Sequence, residues 1–294
     1  MVVENYLSGT LERFGLGYEN LHAINPRLVF CSISGYDSAG SEAGRAGYDL
    51  VLQGETGVMA TNGEAGGPPL KLGLPVVDLF TGMYAAQAML AALLRAQRSG
   101  AGCRIDVALA DCGLAMTSYY GIEAMVQGAE MPRYGNMHSS IVPYGVFDAA
   151  DGPFVLAAGT TAQYRKLCID ILGRPDLAED PRFATNLDRV RNRVALLDEL
   201  GRLFATRQRD DLLAQLARCG VPAGRVEGLF AALDGERAAA MITVHRAPDK
   251  PDAPGFLPPW RFDGSRPPAR RPPLLGEHDE DVRTGLWTAR RDHP

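Results

Sequence analysis

The sequence predicts an α/β protein with a parallel sheet, joined to a second, smaller α+β domain. Three observations predict it. Short β-branched runs alternate with amphipathic stretches at the start of the chain, the pattern of strand and helix units whose strands pair in parallel. Residues 144–148 and 154–157 flank Asp151-Gly152-Pro153, which reads as an antiparallel hairpin. The 294 residues are 46% hydrophobic, enough for one large or two medium cores.

Taken in order, residues 1–3 form a strand, 10–14 and 18–24 are helical by periodicity, and 28–33 form a second strand. A parallel strand that opens a chain has no earlier partner, so the expected large domain lacks its first strand and helix units. Residues 34–47 are polar and Gly-rich, a loop at the carboxyl end of a strand, where ligands sit in open α/β sheets. Residues 48–53 start a helix and 62–69 are dense in turn residues. Residues 71–94 begin with a short β-like run and continue, after Asp78, as a helix of Ala, Leu and Met that is apolar on nearly every side and so reads as buried. Asp78, Gly82 and Gln87 argue against a membrane span here, and no membrane partner is expected.

A turn at 98–102 leads to a strand at 103–109 and a helix at 110–128 that Gly128 ends. After the hairpin, residues 162–219 are helical by periodicity with a break at 173–176, and 229–241 begin another helix. Residues 248–273 are Pro-rich and read as an extended linker, with a terminal helix opening at 274–278. The expected domains are 1–131, the large one; 132–139, a linker; 140–247, the small α+β domain; and 248–294, a return segment.

The net charge of -5 argues against a nucleic-acid partner. Arg189, Arg191 and Arg193, like Arg270 and Arg271, lie among acidic residues and read as solvated helix faces or local phosphate contacts. The five cysteines have no CxxC spacing, which predicts no metal site, no disulfide framework and a cytoplasmic location. The first residues show no secretory signal.

Asp78 is the candidate for chemistry. Placed at the start of an apolar helix, it is either a cap accepting from the N–H of Phe80 or Thr81, or a carboxylate nucleophile whose ionised form the helix N-terminus favours. Spacing alone leaves both open. His138, within Gly135-Asn136-Met137-His138, reads as a hydrogen-bonded turn residue in preference to a base.

Val3-Glu4-Asn5-Tyr6, Asn25-Pro26-Arg27-Leu28-Val29, Ser32-Ile33-Ser34-Gly35-Tyr36, Gly47-Tyr48-Asp49-Leu50, Val77-Asp78-Leu79-Phe80-Thr81-Gly82, Gly135-Asn136-Met137-His138, Asp180-Pro181-Arg182-Phe183 and Leu275-Gly276-Glu277-His278 occur in an order that resembles the class III CoA-transferases, the group of formyl-CoA transferase and carnitine CoA-transferase. The resemblance spans nearly the whole chain. It implies an incomplete Rossmann-like large domain to which the C-terminal segment returns, an interlocked homodimer, and coenzyme A thioesters as substrates with no tightly bound cofactor.

It also implies that Asp78 is the nucleophile, passing through an aspartyl anhydride and an aspartyl-CoA thioester while CoA moves from an acyl-CoA to a carboxylic acid. Asn5, Tyr6, Arg13 and Tyr48 match positions that contact CoA, with Arg45 and Lys71 as further phosphate candidates. Racemases of similar fold have a histidine where Tyr48 stands, and a tyrosine with a pKa of ~10 is a poor base at pH 7. That favours transfer over the alternatives, an acyl-CoA racemase or epimerase and a non-catalytic, truncated CoA-binding homologue. The family's glycine-rich covering loop has no clear counterpart; Ala158-Gly159-Thr160-Thr161 stands nearest.

Overall fold

Three short apolar runs nucleate the first sheet. In a computed structural model describing residues 1–247 and 250–285, β1 (Val2–Glu4), β2 (Val29–Ser34) and β3 (Cys103–Ala108) pair in parallel in that order, with Cys31 opposite Val3 and Ile105. β2 is central, and Val29, Phe30 and Cys31 are buried in succession, as a strand with neighbours on both sides and helices on its faces requires. The short helices α1 (Thr10–Arg13) and α2 (Tyr18–Ile24) connect β1 to β2; α3 (Asp49–Glu55) and α4 (Val76–Ser99) lie between β2 and β3.

α4 departs from its expected burial. The chain covers only the stripe Val77, Thr81, Ala85, Ala92 and Ala96. Ala92 and Ala96 pack with Val29 of β2. Leu79, Phe80, Met83, Tyr84, Leu90 and Leu94 remain exposed. Composition reports that a helix is apolar all round, but only packing decides which faces find a neighbour. By length and hydropathy α4 could also cross a membrane, yet its small-residue stripe lies on this sheet. The β-like run expected before it is coil, and the helix starts at Val76.

The expected helix at 110–128 is two helices, α5 (Leu109–Met116) and α6 (Ser118–Gln127). Thr117 separates them, its hydroxyl donating to the carbonyl of Leu114 at 2.8 Å in competition with the helical backbone.

The hairpin forms as read. β4 (Tyr144–Ala149) and β5 (Gly152–Ala157) pair antiparallel, with β6 (Ala223–Arg225) completing the sheet beyond β5. Five α-helices follow the hairpin along 161–218: α7 (Thr161–Lys166), continued by a wider turn at Leu167–Ile171, α8 (Pro175–Glu179), α9 (Asn186–Arg191), α10 (Arg193–Phe204) and α11 (Arg209–Arg218), with a 3-10 turn at Pro181–Phe183 between α8 and α9. Their inward faces close a core around Phe147, Phe154 and Phe204, whose rings meet edge-on at 5.2 and 5.1 Å for the two pairs with Phe204.

Arg189 belongs to this core, which corrects the solvated reading for that residue, while Arg191 is exposed as read. It is fully buried, donating Nε to the carbonyl of Val142 at 2.7 Å and Nη1 to that of Phe183 at 3.1 Å. Its guanidinium stacks over the Tyr164 ring at 4.5 Å, and burial lowers its pKa. The aromatic face and two carbonyls take the place of water for part of the cation, while Nη2 is buried without a hydrogen-bond partner. Arg193 is half-buried, donating to the carbonyls of His138 and Ser139.

Met1–Gly224 form one unit and Arg225 begins a second, within the 140–247 span that the sequence assigns to the small domain. In the second unit the expected helix 229–241 is broken at Asp234-Gly235 into α12 (Leu229–Leu233) and α13 (Glu236–Ala239). The chain then enters β7 (Ile242–His245), which pairs antiparallel with β8 (Ala253–Phe256) inside the supposed linker. Pro254 fits β8 because both strands of a two-stranded ribbon are edges. The terminal helix is α14 (Asp279–Arg283). Residues 248, 249 and 286–294 of the expected return segment lie outside the described residues.

Arg189→Ala is expected to cost about 3 kcal/mol or more, because it opens a cavity and leaves two buried carbonyls without donors. Arg189→Lys should recover little of this, since an ammonium cannot reproduce the planar fork. Urea unfolding midpoints of the variants check both statements.

Candidate active site

Each parallel strand ends at the same cavity. Asn5 and Tyr6 follow β1, Ser34 and Gly35 close β2, and Leu109 follows β3; together with Tyr48 and Asp78 they line a space of about 560 Å³. This is the crevice at the carboxyl ends of the strands that an open parallel sheet offers to a ligand. Asn5, Tyr6, Tyr48 and Asp78 are therefore brought together, as expected. Arg13 is not. It sits on exposed α1, donating to Thr10 Oγ1 at 3.2 Å, and is not among the residues lining the cavity.

Small groups set each wall. Glu4 accepts from the backbone N–H of Tyr6 at 2.8 Å and from the Ser32 hydroxyl, which ties the loop after β1 to β2. The loop after β2 returns on itself so closely that a Cβ on Gly35 would lie 2.6 Å from Gly47 Cα. Glycine at both positions is what lets the loop deliver Tyr48 and Asp49 beside the strand end. Arg45 also lines the cavity but is occupied: it pairs with Glu42 at 2.7 Å and with Glu55, and stacks over Tyr36 at 4.6 Å. The Tyr36 hydroxyl donates to the other Glu55 oxygen at 2.8 Å, so the network pins the loop to α3. Lys71 does not line the cavity.

Asp78 is the third residue of α4 and not its cap. The position before the helix is Pro75, which has no capping side chain, and the cap comes from another element. Asp49 Oδ1 accepts from the N–H of Val77 at 2.8 Å and of Asp78 at 3.4 Å. Gln53, one turn later on α3 and almost fully buried, donates Nε2 to Asp49 Oδ2 at 2.6 Å and to the Leu74 carbonyl at 3.3 Å, while its Oε1 accepts from the Leu72 N–H at 2.8 Å. Neither residue figured as a candidate in the sequence. The available signal was a polar i, i+4 pair, Asp49 and Gln53, flanking the apolar run Leu50-Val51-Leu52.

The expectation that the helix N-terminus favours ionised Asp78 is also corrected. As a residue Asp78 is open to solvent, yet partial desolvation of its carboxyl at the cavity wall, and then the negative charge of Asp49, push its pKa above the ordinary Asp value. Asp49 holds the N–H groups that would otherwise stabilise the charge. A more basic carboxylate is also the better nucleophile once ionised.

His138 is a turn residue, accepting at Nδ1 from the Ser140 N–H at 3.0 Å and packing against Tyr144. Thr160, near Gly159, caps α7 by accepting from the Gln163 N–H.

The family model named CoA-transferase family III matches residues 1–279. The chain belongs to that family. Over 296 residues it is 38% identical to the succinate–glutarate CoA-transferase of Agrobacterium fabrum, covering 99% of this chain and 73% of that protein. With the human succinyl-CoA:glutarate CoA-transferase the identity is 35% over 285 residues, covering 95% of this chain and 64% of that protein. The crystal structure of a CaiB/BaiF family protein from Brucella suis superposes with a TM-score of 0.82 at 39% identity, over 97% of this chain and 75% of that one. The α/β architecture with its parallel sheet is therefore that of the CaiB/BaiF proteins.

Asp78→Asn is expected to leave the melting temperature at pH 7 unchanged or slightly higher. A carboxyl with a raised folded pKa contributes stability below its unfolded pKa and loses it as pH rises through the folded value. The neutral amide avoids that loss, so the difference from the native chain should shrink toward pH 4 in thermal melts across the range.

Proposed function

We propose that this chain transfers coenzyme A from an acyl-CoA donor to a carboxylic acid, with Asp78 as the nucleophile. The observation that carries this reading is the position of Asp78 in the first turn of α4, opening into the cavity shared by Asn5, Tyr6 and Tyr48. Membership of the family and the names of the relatives support it.

In this reading an Asp78 oxygen attacks the thioester carbonyl, and collapse of the tetrahedral adduct expels CoA thiolate and leaves a mixed anhydride. The thiolate attacks the Asp78 acyl carbon, releasing the donor acid and forming an aspartyl-CoA thioester. The acceptor carboxylate then attacks that carbonyl and expels thiolate, which attacks the acceptor's acyl carbon and frees Asp78. The covalent intermediates conserve the thioester's free energy. Asn5, Tyr6 and Tyr48 would line the path of the CoA arm, Tyr48 without acting as a base. Coenzyme A is substrate here and not a resident cofactor. The relatives act, by name, on succinate, glutarate, oxalate and mesaconate, which supports short dicarboxylic acids as the acids exchanged.

The exposed apolar face of α4 supports a homodimer. The five free cysteines agree with a cytoplasmic location.

Mixed briefly with succinyl-CoA, the native protein should gain a hydroxylamine-sensitive adduct of CoA mass in intact mass spectra, absent from Asp78→Asn, and should form glutaryl-CoA when glutarate is added. A folded native protein that forms neither overturns the reading. For assembly, light scattering should give twice the chain mass, and Leu90→Glu with Leu94→Glu should return it to the single-chain mass.

A further inference from the structure

The cap of α4 is borrowed, and what it is borrowed from is itself held in place. Asp49 meets the first backbone N–H groups of α4 through one carboxylate oxygen, and its other oxygen is held by Gln53. Gln53 uses both ends of its amide. Its Nε2 serves Asp49 and the Leu74 carbonyl, and its Oε1 takes the Leu72 N–H, so one side chain clamps the cap and the coil that delivers α4. It is 1% exposed, a buried amide with both ends satisfied, and this coil has no strand to fix it.

We infer that Gln53 is a positioning residue for the nucleophile: it orients the Asp49 carboxylate as the cap of α4 and fixes residues 72–74, and through them sets how Asp78 enters the cavity. This rests on Asp78 being the nucleophile. Gln53 touches no reacting atom and acts only through Asp49 and the coil. Misplacing a reacting group by even an ångström removes much of the benefit of holding it, so an amide this far from the chemistry can control the rate.

Among the described residues, the charged and titratable groups around Asp78 are these: Asp49 faces it from α3, Tyr6 lines the same cavity from the loop after β1, Arg45 and Tyr48 line it from the loop before α3, and the Cys112 thiol of α5 meets Thr81, one turn along α4. Arg45 is already paired with Glu42 and Glu55. Asp49 is therefore the group whose charge and orientation Asp78 senses most directly.

Gln53→Glu keeps the length of the side chain and the acceptor for Leu72, removes the donor to Asp49, and adds a second negative charge beside it. Asp49→Asn keeps an acceptor for the helix N–H groups and removes the charge. With succinyl-CoA as probe, both variants should slow single-turnover formation of the CoA adduct by about tenfold or more, with the half-saturating succinyl-CoA concentration changed less than about twofold. The acid limb of that rate should move to higher pH in Gln53→Glu and to lower pH in Asp49→Asn. A solely structural role would lower thermal stability without moving the limb in opposite directions.

Hydrogen exchange reads the clamp without activity. Peptides covering 72–80 should exchange about tenfold faster in Gln53→Glu, while those covering 85–96 stay unchanged. Should Gln53→Glu fail to fold, Gln53→Leu, which removes both ends of the amide without adding charge, gives the exchange readout, and Asp49→Asn gives the acid limb. Unchanged exchange at 72–80 overturns the inference whatever the native activity, as does a native adduct rate or an unmoved acid limb in the variants of an active enzyme. A native protein that forms no adduct overturns the proposed function, and the exchange result then decides the clamp by itself.

Discussion

The contact on which the site depends is the one between the Asp49 carboxylate and the first backbone N–H groups of α4. A helix start leaves several N–H groups without partners, and Pro75 supplies no side chain to take them. The fold solves this with a carboxylate from a neighbouring helix. Because the cap lies on α3, the start of α4 is fixed relative to α3 and not by its own sequence. Asp78 sits one residue past the capped N–H of Val77, so the same contact that orders the helix also places a second negative charge near the Asp78 carboxyl. The carboxylate that orders the helix thus adds, after desolvation, to the rise in the Asp78 pKa.

Around that contact, the cavity is built from strand ends whose loops are tied down by short polar links. Glu4 holds the loop after β1, the close approach of Gly35 and Gly47 folds the loop after β2, and the cluster of Arg45, Glu42, Glu55 and Tyr36 fastens that loop to α3. Arg45 is thereby a structural cation within the cavity wall: two carboxylates and a ring already hold it. Arg189 plays a comparable part in the core beside the hairpin, where backbone carbonyls and the Tyr164 ring take the place of a carboxylate. In both places a cation that reads from sequence as a solvent or phosphate contact is used to fix backbone.

Much of the site was nonetheless legible. Asn5, Tyr6, Tyr48 and Asp78 each stand in a short phrase of recognisable residues, and the Gly-rich loop after β2 marks where a parallel sheet receives its ligand. Asp49 and Gln53 were not legible as partners of Asp78, because the residues they hold lie between 19 and 29 positions further along the chain. Arg13 shows the reverse. Its phrase suggested a phosphate contact, while four residues of helix on an exposed loop leave it away from the cavity lining.

By itself, the sequence determined the elements whose signals are local: the three parallel strands, the hairpin at β4 and β5, and a long apolar helix after a carboxylate, each written in periodicity and turn chemistry within a few residues. Tertiary structure decided what depends on distant neighbours. It chose which stripe of α4 is covered, buried Arg189, drew β8 out of a Pro-rich segment to pair with β7, and gave the helix of Asp78 a cap from another helix. The physical reason is common to all four: burial, strand pairing and capping are satisfied by whichever group comes close enough in space, and the composition of a segment does not carry that information.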